Sequence, residues 1–309
     1  MTETLLRIGT RGSKLALVQA EYIKSLLLGN HENLVVEIDV ISTRGDRSQK
    51  ENISLSEIGG KGLFTLEIEE KLKSGEIDLA VHSAKDMPTK LPEGLGLVCY
   101  PERENVADAF ISKSVDTFDA LSQGSVVGSA SLRRRALMWR KRPDLEMIMF
   151  RGNVDTRLQK IADGVADATL LACAGLNRLG LDDAVTSELP IDDFPPAPGQ
   201  GAITIEANLD NHQVLECLAP LNHPQTQTAL IAERAFLEVL DGSCRTPIGA
   251  HARIDGLKVF LHGIILKPDG SESHEEHLEG TVGDAEELGR EMGRILRDRA
   301  GDQFFADWN

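Results

Sequence analysis

The chain has 309 residues, 41% of them hydrophobic and 27% charged, the make-up of a globular protein of two or three domains rather than of a disordered one. Its formal net charge of −16 and its 4% aromatic content work against a general affinity for nucleic acid or for an anionic membrane. Every apolar run is broken by charges before it could span a bilayer, and MTETLLRIGTRG has no basic start followed by an apolar stretch, so a cytoplasmic protein without a signal peptide is expected.

Strand-like and helix-like segments alternate through the first two-thirds. LLRI at 5–8 reads as a strand; Ser13 can cap a helix carrying Leu15, Ala16, Ala20, Ile23 and Leu27, with Gly29 as its stop. LVVEIDVI at 34–41 is a second strand, LFTLEIEEKLK at 63–73 an amphipathic helix ending before Gly75, and IDLAVHS at 77–83 a buried strand whose following loop is closed by Pro88. After Pro101 come VADAFIS, SVVG, the helix SLRRRALMWRKR, the strand LEMIMF, NVDTRLQKIADG and TLLACAG. A Pro-rich stretch at 190–201, PIDDFPPAPGQG, reads as a crossing segment. AITIEA at 202–207 is a strand, a long helix is expected at about 226–240, and strands near 249–266 with a helix near 284–299 complete a small α+β unit. Such alternation argues for mainly parallel sheets with crossover helices.

Charge is unevenly placed. Between Arg133 and Arg157 seven arginines and one lysine face Asp144, Glu146 and Asp155, whereas Asp269 to Glu291 holds nine acids and one arginine. The acidic stretch needs only solvation to explain it. A basic patch in an acidic protein points to a confined site for a polyanion. Of the four cysteines, Cys99 and Cys173 lie in apolar runs and read as core thiols, Cys244 lies in a polar loop bounded by Gly242 and Pro247, and no CxxC or CxxH spacing suggests a metal.

Three motifs set polar residues just beyond strand ends, where α/β proteins bind ligands. They are RIGTRGSKLAL with Arg11, VHSAKDMP with Lys85 and Asp86, and VGSASLRRR with Ser129 and Ser131 opening a helix before Arg133 and Arg134. FRGNVDTRL adds Arg151 and Arg157, and ACAGLNRLG adds Arg178. Exposed N–H groups at a helix start and neighbouring guanidiniums suit carboxylates. Three consecutive arginines cannot share one helix face, and Arg135 is the one expected to be solvated.

Together with IGGKGLF, PGQGAITIE and GSCRTPIGA these motifs, in this order from about residue 5 to about 300, make the chain resemble the porphobilinogen deaminases, or hydroxymethylbilane synthases. The resemblance implies an α/β fold of three domains: two lobes like those of type II periplasmic binding proteins, formed by about 1–101 with 197–219 and by 102–196, and a small C-terminal α+β domain at 220–309. It implies head-to-tail condensation of four porphobilinogen molecules with loss of ammonia, then hydrolysis to the linear tetrapyrrole. The growing polypyrrole would be built on a dipyrromethane cofactor joined by a thioether to Cys244.

In this reading Asp86 matches the catalytic aspartate, which steadies cationic pyrrole species and moves protons. Lys85, Ser129, Ser131, Arg133 and Arg134 match cofactor-binding positions. Arg11, Ser13, Arg151, Arg157, Arg178 and Gln200 match the substrate and product path. Lys61 and Phe64 belong to a loop over the cleft. No metal, nucleic acid or membrane partner is implied, and a monomer is expected. Gly12, Lys14 and Asp155 depart from many relatives, and Arg245 stands where many carry a neutral residue. The rival reading is a two-lobed anion-binding protein without chemistry.

Overall fold

In a computed structural model of the chain, residues 4–45, 65–242 and 246–308 are described. They fall into two compact units, Met1–Arg103 with Ala202–Gln227, and Glu104–Gly201 with Thr228–Asn309.

In the first unit β1 (Thr4–Arg11) leads to Ser13, whose Oγ accepts the amide of Ala16 at 3.2 Å and so starts α1 (Lys14–Asn30). The helix runs through Gly29, the expected stop, to Asn30, whose side-chain Nδ2 donates to the Leu26 carbonyl at 2.9 Å. β2 (Leu34–Ile41) follows, then α2 (Leu66–Ser74), which ends on Gly75 at φ 73°. β3 (Leu79–Ser83) and β4 (Leu95–Cys99) complete the first pass.

The second unit contributes β5 (Asp108–Ser112), β6 (Val126–Gly128), α3 (Leu132–Lys141), β7 (Glu146–Ile148), α4 (Val154–Ala162), β8 (Ala168–Ala172), α5 (Cys173–Leu179) and β9 (Ser187–Glu188). The chain then returns to the first unit for β10 (Ile203–Asn208) and α6 (His212–Leu218). The last part is α7 (Pro224–Val239), β11 (Ile248–Asp255), β12 (Lys258–Leu266), β13 (Ser273–Thr281) and α8 (Ala285–Ala300).

Among the described residues the sheets run β2-β1-β3-β10-β4, β7-β6-β8-β5-β9 and β11-β12-β13. The first two are mixed rather than mainly parallel. β10 is antiparallel to β3 and β4, and β5 is antiparallel to β8 and β9. The registers give the reason. Ile203 pairs with Ser83 and Asp108 with Ala172, so each antiparallel strand begins where its parallel neighbour ends. Both strands that follow a crossing segment thus start at the C-terminal end of β3 and of β8.

Ile8, Leu79 and Ile205 sit in the core under α1 at no more than 1% exposure, and each such side chain contributes about 1.5–3 kcal/mol. The C-terminal meander has its own core, in which Leu261 and Ile265 meet Phe236 of α7 and Met292 of α8. The opposite face of β12 joins the α/β part: Ile264 and Leu266 pack with Phe110 and Leu137. That shared core is why residues 228–309 cluster with the second lobe. Helices α7 and α8 approach closely because Gly289 and Gly293 carry no Cβ; one added there would lie 2.1 Å from the Ala232 carbonyl and 2.6 Å from Val239 Cβ. β13, in the stretch expected only to be solvated, is an outer strand that is half-buried over Ser273–Glu276 and alternates in exposure from His277 to Thr281.

Candidate functional site

In the first unit the turn after β3 builds one face of a pocket. Ser83 ends the strand, the amide of Ala84 continues its pairing through the Ala202 carbonyl at 3.0 Å, and a 3₁₀ turn over Ala84–Asp86 is closed by the Met87 amide on the Ala84 carbonyl at 3.2 Å. Met87 and Ala84 are buried, which throws Asp86 outward. Asp86 is exposed and takes part in no ion pair among the described residues. It lines a small open pocket of about 70 Å³ with Arg11, Ser13, Gln19, His82 and Ser83. Gln19, at 2% exposure, is joined to the Ser83 hydroxyl by contacts of 3.1 and 3.2 Å, which ties α1 to the end of β3. Lys85, beside Asp86 in the turn, is half-buried.

In the second unit the polar cluster forms at the start of α3. The Ser129 hydroxyl accepts the Ser131 amide at 3.2 Å, and the Ser131 hydroxyl caps the helix through the Arg134 amide at 3.4 Å. Gly128 allows the approach beneath, since a Cβ there would sit 2.3 Å from the buried Phe150 ring. Arg133 and Arg134, 3% and 6% exposed, both turn onto Asp108 at the start of β5. Arg133 Nη2 meets Oδ2 at 2.8 Å and its Nη1 donates to the Pro195 carbonyl at 2.7 Å; Arg134 Nη2 meets Oδ1 at 2.7 Å. Gln200 adds a donor to Oδ1 at 2.8 Å and another contact of 2.8 Å to the Val106 carbonyl. Burial alone would raise the Asp108 carboxyl, but Arg133, Arg134 and Gln200 outweigh it and hold it well below the usual carboxylate range.

Gln200 owes its place to Glu233 of α7, whose carboxylate accepts the Gly199 amide at 2.7 Å and the Ala252 amide at 2.8 Å. Arg178 Nη2 donates to the neighbouring Gly201 carbonyl at 2.7 Å. Arg157 donates through Nε to the Gly152 carbonyl at 2.9 Å and forms no ion pair among the described residues. Burial, reinforced by the positive Arg134, pushes its guanidinium down to about 10. Arg151 is half-buried; its carbonyl accepts from Lys160 at 3.1 Å.

Residues 6–216 match the family model described as porphobilinogen deaminase, dipyromethane cofactor binding domain, and residues 227–298 match the one described as its C-terminal domain. A porphobilinogen deaminase from Nitrobacter hamburgensis is 50% identical over 308 residues, which is 98% of this chain and 96% of the relative. The chain belongs to the porphobilinogen deaminase family. Among solved structures, a nutrient binding protein from Burkholderia cenocepacia bound to methionine has a TM-score of 0.44 at 11% identity, with 69% of this chain and 90% of that one covered. A periplasmic substrate-binding protein of an ABC transporter from Coxiella burnetii has 0.44 at 15%, with 72% and 94% covered.

For a porphobilinogen deaminase the structure brings together Arg11, Ser13 and Asp86 in one unit, and Ser129, Ser131, Arg133, Arg134, Arg157, Arg178 and Gln200 around one helix start in the other. It gives Arg133, Arg134 and Gln200 a buried protein partner, Asp108, which the sequence reading did not assign. Asp108 reads as one more strand residue; its only signal was a carboxylate inside the apolar run VADAFIS. Gln19 was hidden in a helix pattern. Cys244 and Arg245, and Lys61 and Phe64 of the expected loop, lie outside the described residues. Cys99 and Cys173 are free and buried, with burial pushing each thiol up to about 12, as core thiols require. The group His262, Glu275 and His277 lies apart on β12 and β13, and Glu275 is engaged there by His262 at 2.7 Å and Arg140 at 3.0 Å.

Proposed function

We propose that the chain is a hydroxymethylbilane synthase of tetrapyrrole biosynthesis, joining four porphobilinogen molecules head to tail with loss of ammonia and freeing the linear product by hydrolysis. What carries the reading is Asp86: an exposed carboxylate without an ion-pair partner among the described residues, held at a strand end in one pocket with Arg11 and Ser13. At each addition the C–N bond of the aminomethyl group breaks and its electron pair leaves with nitrogen, so positive charge develops on the substrate pyrrole. Asp86 faces that charge without having to break a resident ion pair. After the new C–C bond forms, the pyrrole carbon gives up a proton, for which Asp86 is the acceptor, and the departing ammonia takes it away as ammonium.

The donor set of the second unit suits a polycarboxylate. Arg157 forms no ion pair among the described residues, it stands beside Arg134, and the hydroxyl-capped start of α3 lies next to both. Ser129, Ser131 and Arg134 are the proposed holders of the dipyrromethane carboxylates, and Cys244 is the proposed attachment. When bound, that group supplies the pyrrole terminus on which the chain grows. Arg11 and Ser13 of the first unit, and Arg151, Arg157 and Arg178 of the second, are the proposed guides for incoming carboxylates. Arg133 and Gln200 act here through Asp108, orienting Arg134. A monomeric cytoplasmic enzyme completes the proposal, to be checked by sedimentation and cell fractionation.

Incubation of purified protein with porphobilinogen, with the linear tetrapyrrole read as uroporphyrin after cyclisation and oxidation, tests the reading. Absence of product from a protein whose Cys244 is modified overturns it.

A further inference from the structure

Alternate residues of β3 and β10 point to the same side of the sheet, and the pairing of Thr204 with His82 and of Glu206 with Ala80 places all four on one face. It is the face α2 covers, since Ala80 packs with Ile68 and Leu72 of that helix. The polar members of this face are therefore sealed under a helix that itself buries Glu69. His82 Nε2 lies 3.2 Å from Glu206 Oε2, with the two side chains 4% and 0% exposed. Yet His82 Nε2, both carboxylate oxygens of Glu206, Thr204 Oγ1 and Glu69 Oε1 are all buried without a hydrogen-bond partner. A single buried orphan is costly, and five on one covered face call for a common partner.

We propose that this cluster binds a monovalent cation of ammonium or potassium size. The carboxylate and hydroxyl oxygens of Glu206, Glu69 and Thr204 are acceptors, so what the cluster lacks is a partner with several donors or several oxygen-seeking coordination sites. Ammonium offers four N–H groups, and potassium accepts oxygen ligands. Burial pushes the Glu69 carboxyl up, the Thr65 hydroxyl opposing it and the negative Glu206 adding to it. His82 and Thr65, the residue before α2, also line the pocket that holds Asp86, so the cluster adjoins the place where the proposed reaction forms ammonium. The ammonium form of the proposal rests on that reaction; the potassium form does not.

The test uses holoenzyme. Crystals soaked in a thallium(I) salt are read for anomalous scattering, and melting is followed in lithium, potassium and ammonium chlorides at equal ionic strength. The expected result is a peak between Glu206, Thr204 and Glu69, and a melting temperature about 2–5 °C higher in potassium or ammonium than in lithium. Glu206→Gln removes the difference, and Thr204→Val, which keeps the charge, weakens it; the second variant carries the test if the first does not fold. A gain in both salts, or in potassium alone, supports the site, and a gain in ammonium alone makes the product its ligand. No thallium peak together with equal melting in all three salts overturns the site, the cluster then being settled by protonation. Turnover of porphobilinogen measured on the same samples stands or falls separately.

Discussion

Arg134 holds a single oxygen of Asp108, Oδ1, through both Nε at 3.1 Å and Nη2 at 2.7 Å, leaving Oδ2 to Arg133. The carboxylate is fully buried, so its stability contribution depends on both guanidiniums. Asp108→Asn strands two buried cations and should cost about 3–5 kcal/mol in denaturant unfolding. The pH dependence has a definite sign. A carboxyl depressed in the folded state contributes stability that is fully present above its unfolded value of about 4 and is lost as pH falls toward the folded value. Wild-type stability should thus fall below about pH 4 more steeply than that of Asp108→Asn. Parallel slopes would refute the pairing.

Arg157 should behave in the opposite way. Its guanidinium is already pushed down by burial and by Arg134, so Arg157→Leu relieves an uncompensated charge. Melting should stay within about 2 °C of wild type or rise, while turnover drops and enzyme carrying incomplete polypyrrole accumulates. Native mass spectrometry after brief exposure to porphobilinogen reads that ladder. Arg133→Leu should instead lose stability and give largely cofactor-free protein.

Asp86 is exposed and takes part in no ion pair among the described residues. Asp86→Asn should leave the thermal melt and circular dichroism unchanged and lower turnover by at least about 100-fold. A variant with near-normal turnover would remove Asp86 from the reaction.

The thiols should divide by burial. Cys99 and Cys173, held up at about 12, should resist alkylation in the folded protein at pH 8. Intact mass with peptide mapping should place the one covalent adduct, a dipyrromethane, on Cys244. Cys244→Ala should lack adduct and activity, and Cys99→Ala and Cys173→Ala should keep both.

The local units were legible wherever a turn residue and a hydrophobic period agreed. Ser13 caps α1, Ser131 caps α3 and Gly75 ends α2, each read from its motif alone. Long-range features were not. Nothing in AITIEA tells that β10 is antiparallel and inserted between β3 and β4, because that depends on where a crossing segment re-enters. β13 escaped notice because SHEEHLEGT carries the polar side of an outer strand. The site was legible as motifs, but its internal supports were hidden: Asp108, Gln19 and Glu233 are polar residues within apolar patterns, and only folded neighbours give them partners.

The insertion of β10 between β3 and β4 has a consequence for how the protein is born. Residues 104–201 belong to the second unit, so a ribosome must make that whole stretch before the strand that fills the gap emerges. Until then β3 has an unpaired edge and β4 has no neighbour among the described strands. Such edges invite pairing with other chains. The last strand to arrive closes the sheet and, in the same event, delivers Glu206 and Thr204 beneath the pocket.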